Sequence, residues 1–122
     1  MTIALWCILI AAILPYVAFS FVQGLDARHP RAAVSDLTGQ AARAHAAQLN
    51  GFETFPFFAA AVIVSHIVGG PSAAANLLAV IYVVLRAGHP AAYLADRQPL
   101  RSAAFGLAQL AAVAIFVLAA FR

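Results

Sequence analysis

Arg43, Asn50 and Glu53 stand in the stretch Arg43-Ala-His-Ala-Ala-Gln-Leu-Asn50-Gly-Phe-Glu53-Thr-Phe-Pro56, which leads into an apolar run from Phe57 to Val68. On a helix, at about 100° per residue, Asn50 lies about 20° from Arg43 and about 60° from Glu53, so the three share one face. A second group repeats the pattern. Measured from His89, Arg86 is about 60° round the helix, Tyr93 about 40°, and Tyr82 and Asp96 about 20° each, which makes one polar stripe. Arg101 and Ser102 form a third group, with Gln109 two turns further on. A guanidinium and a hydroxyl at the start of a helix, with free backbone N–H groups beside them, suit an anion.

The elements that must position these groups follow from composition. Of 122 residues, 65% are hydrophobic and 9% charged, whereas soluble domains carry about 25% charged residues. With a mean hydropathy of +0.94, the chain reads as an all-α integral membrane protein. Its length allows four spans of about 20 residues and leaves nothing for a soluble domain. The spans are expected at about 2–23, 41–68, 73–94 and 101–121, in an up-down-up-down bundle forming a single domain. The first has no Lys or Arg before its apolar run and exceeds the length of a signal h-region, so it is expected to be retained. Gly24 to Gln40 and Asp96 to Leu100 are polar connections, and Gly69-Gly70-Pro71-Ser72 is a tight uncharged turn.

Every basic residue is arginine, and six of the seven lie in or beside the first and third connections, as do all four acids. This is not a nucleic-acid-binding stripe. The positive-inside rule places those connections in the cytoplasm and both termini outside, so the polar ends of spans two, three and four converge there. A carboxylate at the centre of a bilayer costs roughly 2.5 kcal/mol or more, and Glu53 is expected to pair with Arg86. Removing either alone would leave an unpaired buried charge, at about 3–5 kcal/mol. The single Cys7 gives neither a disulfide nor a metal spacing, and no metal is expected.

Arg43-Ala with Asn50-x-x-Glu53-x-x-Pro56, then Arg86-x-x-His89-x-x-x-Tyr93, then Arg101-Ser102 and Leu107-Ala-Gln109 resemble the MAPEG family, the membrane-associated proteins in eicosanoid and glutathione metabolism. The likeness runs from the second span to the end of the chain, and the second half is similar to microsomal prostaglandin E synthase. It implies a homotrimer of four-helix subunits with glutathione between neighbouring subunits at the cytoplasmic end. Asn50, Glu53, Arg86, His89, Tyr93, Arg101 and Ser102 then stand where the family's glutathione contacts stand. The implied chemistry is thiolate addition or reduction, since the thiolate is the nucleophile. Arg101 and Ser102 would stabilise it, with Tyr93 as a second donor and Arg43, Asn50, Glu53 and His89 holding the peptide. The second substrate would be a small hydrophobic electrophile or lipid peroxide arriving through the bilayer. The lack of lysine and the abundance of alanine suggest a bacterial inner-membrane protein and argue against an eicosanoid substrate.

Plainer readings stand beside these. Glu53 could be half of a structural ion pair, Arg97 and Arg101 orientation signals, His89 a core histidine, and Tyr82 and Tyr93 packing aromatics. Gln109 suits an interhelical hydrogen bond, and His66 and His29 read as incidental. The positions before Asn50 are Ala46, Ala47, Gln48 and Leu49, where characterised family enzymes carry more basic residues. That favours, as an alternative, a non-catalytic lipid-binding scaffold of the same fold. A small multidrug exporter fits less well, because its membrane acid belongs in the first helix and the first span here has no charge.

Overall fold

The computed structural model describes residues 1–22 and 25–122. Among them are four α-helices and no strand: α1 (Ile3–Phe19), α2 (Gly39–Gly69), α3 (Ala73–Leu94) and α4 (Gln98–Ala119), with a short 3-10 helix at Ala32–Asp36. Helices α2, α3 and α4 are long and apolar enough to cross a membrane, and α1 is a shorter apolar helix of 17 residues. At 1.5 Å per residue α1 is about 26 Å long, near the lower bound for a span.

Two helix ends differ from the sequence reading. α1 stops at Phe19 because the backbone tightens there. Phe21 N donates to Ala18 O and Val22 N to Phe19 O, the three-residue spacing that closes a last turn. The expected end of the first span at Gln23 lies outside the described residues. α4 opens at Gln98 rather than Arg101, since Pro99 sits in the first turn, where a missing N–H costs nothing and φ is already helical.

Small residues make the core. Ala4, Ala61, Ala79, Ala108 and Ala112 are fully buried with Phe58, Val62 and Ile115, so helix backbones approach closely, as membrane helices must when no hydrophobic effect drives them together. One aromatic pair fills the centre: Phe58 and Tyr82 stack with ring centres 3.8 Å apart and planes 3° apart. Tyr82 Oη donates to Thr54 O at 3.4 Å, and Thr54 Oγ1 donates to Asn50 O at 2.9 Å. Large apolar side chains such as Leu110, Val84 and Phe116 point outward, the opposite of a soluble protein and the surface a bilayer solvates.

At the end of the bundle away from the arginine-rich connections, polar side chains tie the helices. His66 is not incidental: its Nδ1 lies 2.9 Å from Val62 O and its Nε2 2.7 Å from Thr2 Oγ1. With Nδ1 donating to the carbonyl, Nε2 accepts from the hydroxyl. Asn76 Oδ1 accepts from Ala4 N at 2.9 Å. Arg122 Nη2 donates to the carbonyls of Gly69, Gly70 and Pro71 at 2.7, 2.9 and 2.9 Å, satisfying groups that the end of α2 leaves free. Gly70 turns the chain there at φ +71°, a conformation that suits glycine.

Candidate functional site

The other end of the bundle holds a groove of about 450 Å³, within the range of small-molecule sites. Helix α2 contributes Ala46, Leu49, Asn50 and Glu53, α3 contributes His89 and Tyr93, and α4 contributes Arg101, Ser102 and Phe105. These positions follow helical spacing. Residues 46, 49, 50 and 53 form one face of α2, 89 and 93 lie one turn apart on α3, and 101 and 105 one turn apart on α4. Ala46, Leu49 and Phe105 carry no chemistry and were missed by a search for polar groups, although their spacing from Asn50, Glu53 and Arg101 would have found them.

The polar groups are arranged in a chain. The guanidinium carbon of Arg101 lies 4.4 Å from the centre of the Tyr93 ring, a cation–π distance. Tyr93 in turn meets His89 edge to face at 5.7 Å between ring centres. His89 is 3% exposed, and its Nδ1 has no hydrogen-bond partner among the described residues, nor has Asn50 Oδ1. Buried polar atoms are nearly always paired, so two orphans beside one hollow mark places where a ligand or ordered water completes the bonding. Tyr93, expected as a donor, serves Arg101 through the face of its ring. Nor do Arg101 and Ser102 open α4. Arg101 N already donates to Arg97 O at 3.0 Å, so the anion-binding power near Arg101 comes from side chains, not from free backbone N–H groups.

Two expected members lie elsewhere. Arg86 is 5% exposed and borders a void of about 10 Å³ with Ala11, Pro15, Gly51 and Tyr82, on the α1 side of the bundle. Its Nη1 has no hydrogen-bond partner among the described residues. Glu53 is exposed and lines the groove. The expected Glu53–Arg86 ion pair is therefore not formed within the subunit. The 60° turn between residues 86 and 89 is the reason: with His89 facing the groove, Arg86 faces the seam with α1. Arg43 does not line the groove either, and its Nε is buried without a partner among the described residues. Gln109 Oε1 is likewise unpartnered among the described residues, so that oxygen makes no hydrogen bond to the other described helices.

A double-mutant cycle checks the separation of Glu53 from Arg86. Glu53→Gln and Arg86→Met should add in thermal unfolding to within about 0.5 kcal/mol, as distant sites do. A coupling above about 1 kcal/mol would put the two side chains in contact. Arg86→Met alone should not destabilise strongly, because replacing a buried charge that lacks a partner with an apolar chain of similar length removes a desolvation cost.

The MAPEG family model matches residues 2–121. The chain belongs to the MAPEG family. The match takes in all four helices, α1 included, whereas the motifs read from the sequence begin only at α2. No curated protein and no solved structure matches the chain significantly. Membership together with three helices able to cross a bilayer makes this MAPEG protein an integral membrane protein. In this MAPEG chain polar residues from three helices share the groove described above, with Arg43 and Arg86 outside it.

Proposed function

We propose that this MAPEG protein is a membrane-embedded glutathione-dependent transferase or peroxidase acting on small hydrophobic electrophiles or lipid peroxides. The observation that carries the reading is one groove lined by Asn50, Glu53, His89, Tyr93, Arg101 and Ser102. Glutathione offers amides, two carboxylates, an ammonium and a thiol. Glu53 suits the ammonium, the free Asn50 Oδ1 and His89 Nδ1 suit N–H and polar hydrogen partners, and Arg101 with Ser102 suits an anion. The bound tripeptide supplies the thiol. Arg101 supplies a fixed positive charge and Ser102 a hydroxyl donor, both of which favour the ionised sulfur. Tyr93 holds the guanidinium in place, and Leu49 and Phe105 limit the water that would otherwise screen it.

The assembly belongs to the same proposal: a homotrimer with glutathione at the subunit boundary, helices alternating across a bacterial inner membrane, termini outside and the groove cytoplasmic. The clustering of arginine in the two connections beside the groove supports the orientation. Arg43, partly exposed and outside the groove within one subunit, would reach the peptide only from a neighbouring copy, whereas Arg86, buried at the seam with α1, is not placed to reach it.

One observation favours a second reading. Ala46 and Leu49 give the α2 wall an apolar surface where further cations would help a dianionic peptide, which suits a lipid-binding scaffold without turnover. Calorimetry with glutathione separates the two. The transferase reading expects binding that weakens by about tenfold or more in Arg101→Ala, as loss of a charged hydrogen bond of 1.5–3 kcal/mol implies, together with turnover of a chloronitrobenzene or a lipid hydroperoxide. Binding without turnover would favour the scaffold, and no binding would end the glutathione reading.

A further inference from the structure

A second groove, of about 500 Å³, runs between α3 and α4. It lies on the far side of α4 from the first: the residues of α4 that line it, Leu100 and Leu107 among them, are centred about 150° round the helix from Arg101, Ser102 and Phe105. Helix α4 therefore stands between the two hollows, and whatever occupies the second is independent of the thiol chemistry proposed for the first. Its lining is apolar from Val84 through Gly88 and Ala92, with a single polar residue, Arg97, at the end. Asp96, next in the chain, does not line it.

Length and charge together identify an occupant. Val84 to Ala95, the extent of the groove along α3, is about 16 Å at 1.5 Å per residue, half of the roughly 30 Å hydrocarbon core and so the depth of one leaflet. Helix α3, with 22 residues, is about 33 Å long and spans that core, which puts Arg97, just beyond its end, among the headgroups. A Cβ added at Gly88 would meet nothing within 4 Å, so the floor is open to a guest. We propose that the groove holds one acyl chain of an anionic bilayer phospholipid, whose phosphate-bearing headgroup sits on the exposed Arg97 guanidinium. The small floor residues admit the chain, and Arg97 gives the site its preference for negative charge over a zwitterion.

Native mass spectrometry of the full-length protein, extracted from vesicles of equal phosphatidylglycerol and phosphatidylcholine, tests this. The wild type should retain phosphatidylglycerol over phosphatidylcholine by about fivefold, the effect of one arginine at an anionic surface. Arg97→Ala should equalise the two lipids. Gly88→Leu, which fills the floor with a better helix former, should shed both while the protein stays folded. Persistence of the preference in Arg97→Ala, or of bound lipid in Gly88→Leu, would overturn the proposal. So would a change of oligomer mass in Gly88→Leu, which would make the groove a contact with a second copy.

Discussion

Arg101→Ala should lower kcat/KM for glutathione addition to a chloronitrobenzene by about 10²–10³-fold, the usual consequence of removing one preorganised stabiliser of a developing anion. The guanidinium is half-buried, borders the groove and is held 4.4 Å over the Tyr93 ring, so its charge acts at a fixed place and is screened less than it would be in water. The pH profile distinguishes this role from simple peptide binding. A stabilised thiolate is already formed at neutral pH, so wild-type activity should be nearly flat through that range. Without the arginine the thiol returns towards its ordinary value near 8.5, and the variant should recover activity as pH rises towards that value. A loss confined to KM, with an unchanged pH profile, would make Arg101 a peptide contact and nothing more. Tyr93 supplies the internal control. Tyr93→Phe keeps the ring under the guanidinium and should keep most of the activity, whereas Tyr93→Ala should share much of the Arg101→Ala defect.

Helical periodicity carried the sequence reading as far as faces and no further. It grouped Asn50 with Glu53 and His89 with Tyr93, and both pairs line the one groove, because each spacing puts its two members near the middle of one helix face. It could not say which flank a residue at the edge of a stripe would take. Arg86, about 60° from His89, went to the seam beside Pro15 and Gly51, and with it went the expected pairing to Glu53. The all-helical class was legible because so apolar a chain must satisfy its backbone internally in lipid. The start of α4 is hard to place from sequence because Pro99 reads equally as a loop residue and as a first-turn residue, and the helix takes it as the latter. His66 looked incidental because nothing local announces a hydrogen bond to Thr2, 64 residues away. Such long-range ties depend on how helices lie together, which the pattern within one helix does not encode.

The tight contact of Gly51 with Pro15 makes the second large prediction, that Gly51→Leu loses the docking of α1 on α2. A Cβ at Gly51 would lie 2.7 Å from Pro15 Cγ and 3.2 Å from Pro15 Cβ, both on a ring closed onto the α1 backbone, so the neighbour cannot turn aside and the helices must part. Alanine is the graded case. Overpacking at such a contact costs about 1–3 kcal/mol, and the better helix propensity of alanine returns up to about 1 kcal/mol, so Gly51→Ala should destabilise slightly. Leucine adds three more carbons with no space to take them, and in lipid no hydrophobic effect compensates for lost packing. Its thermal unfolding in mild detergent should fall well below that of Gly51→Ala. Pro15→Ala tests the cause, since removing the ring should relieve Gly51→Ala and leave a double variant more stable than the two single effects predict by about 1 kcal/mol. Equal stability of Gly51→Leu and wild type would mean that α1 does not pack here. The same contact bears on the groove, because Gly51 lies between Asn50 and Glu53 in sequence and faces α1. A helix pushed off that face would rotate the site residues on α2 as well.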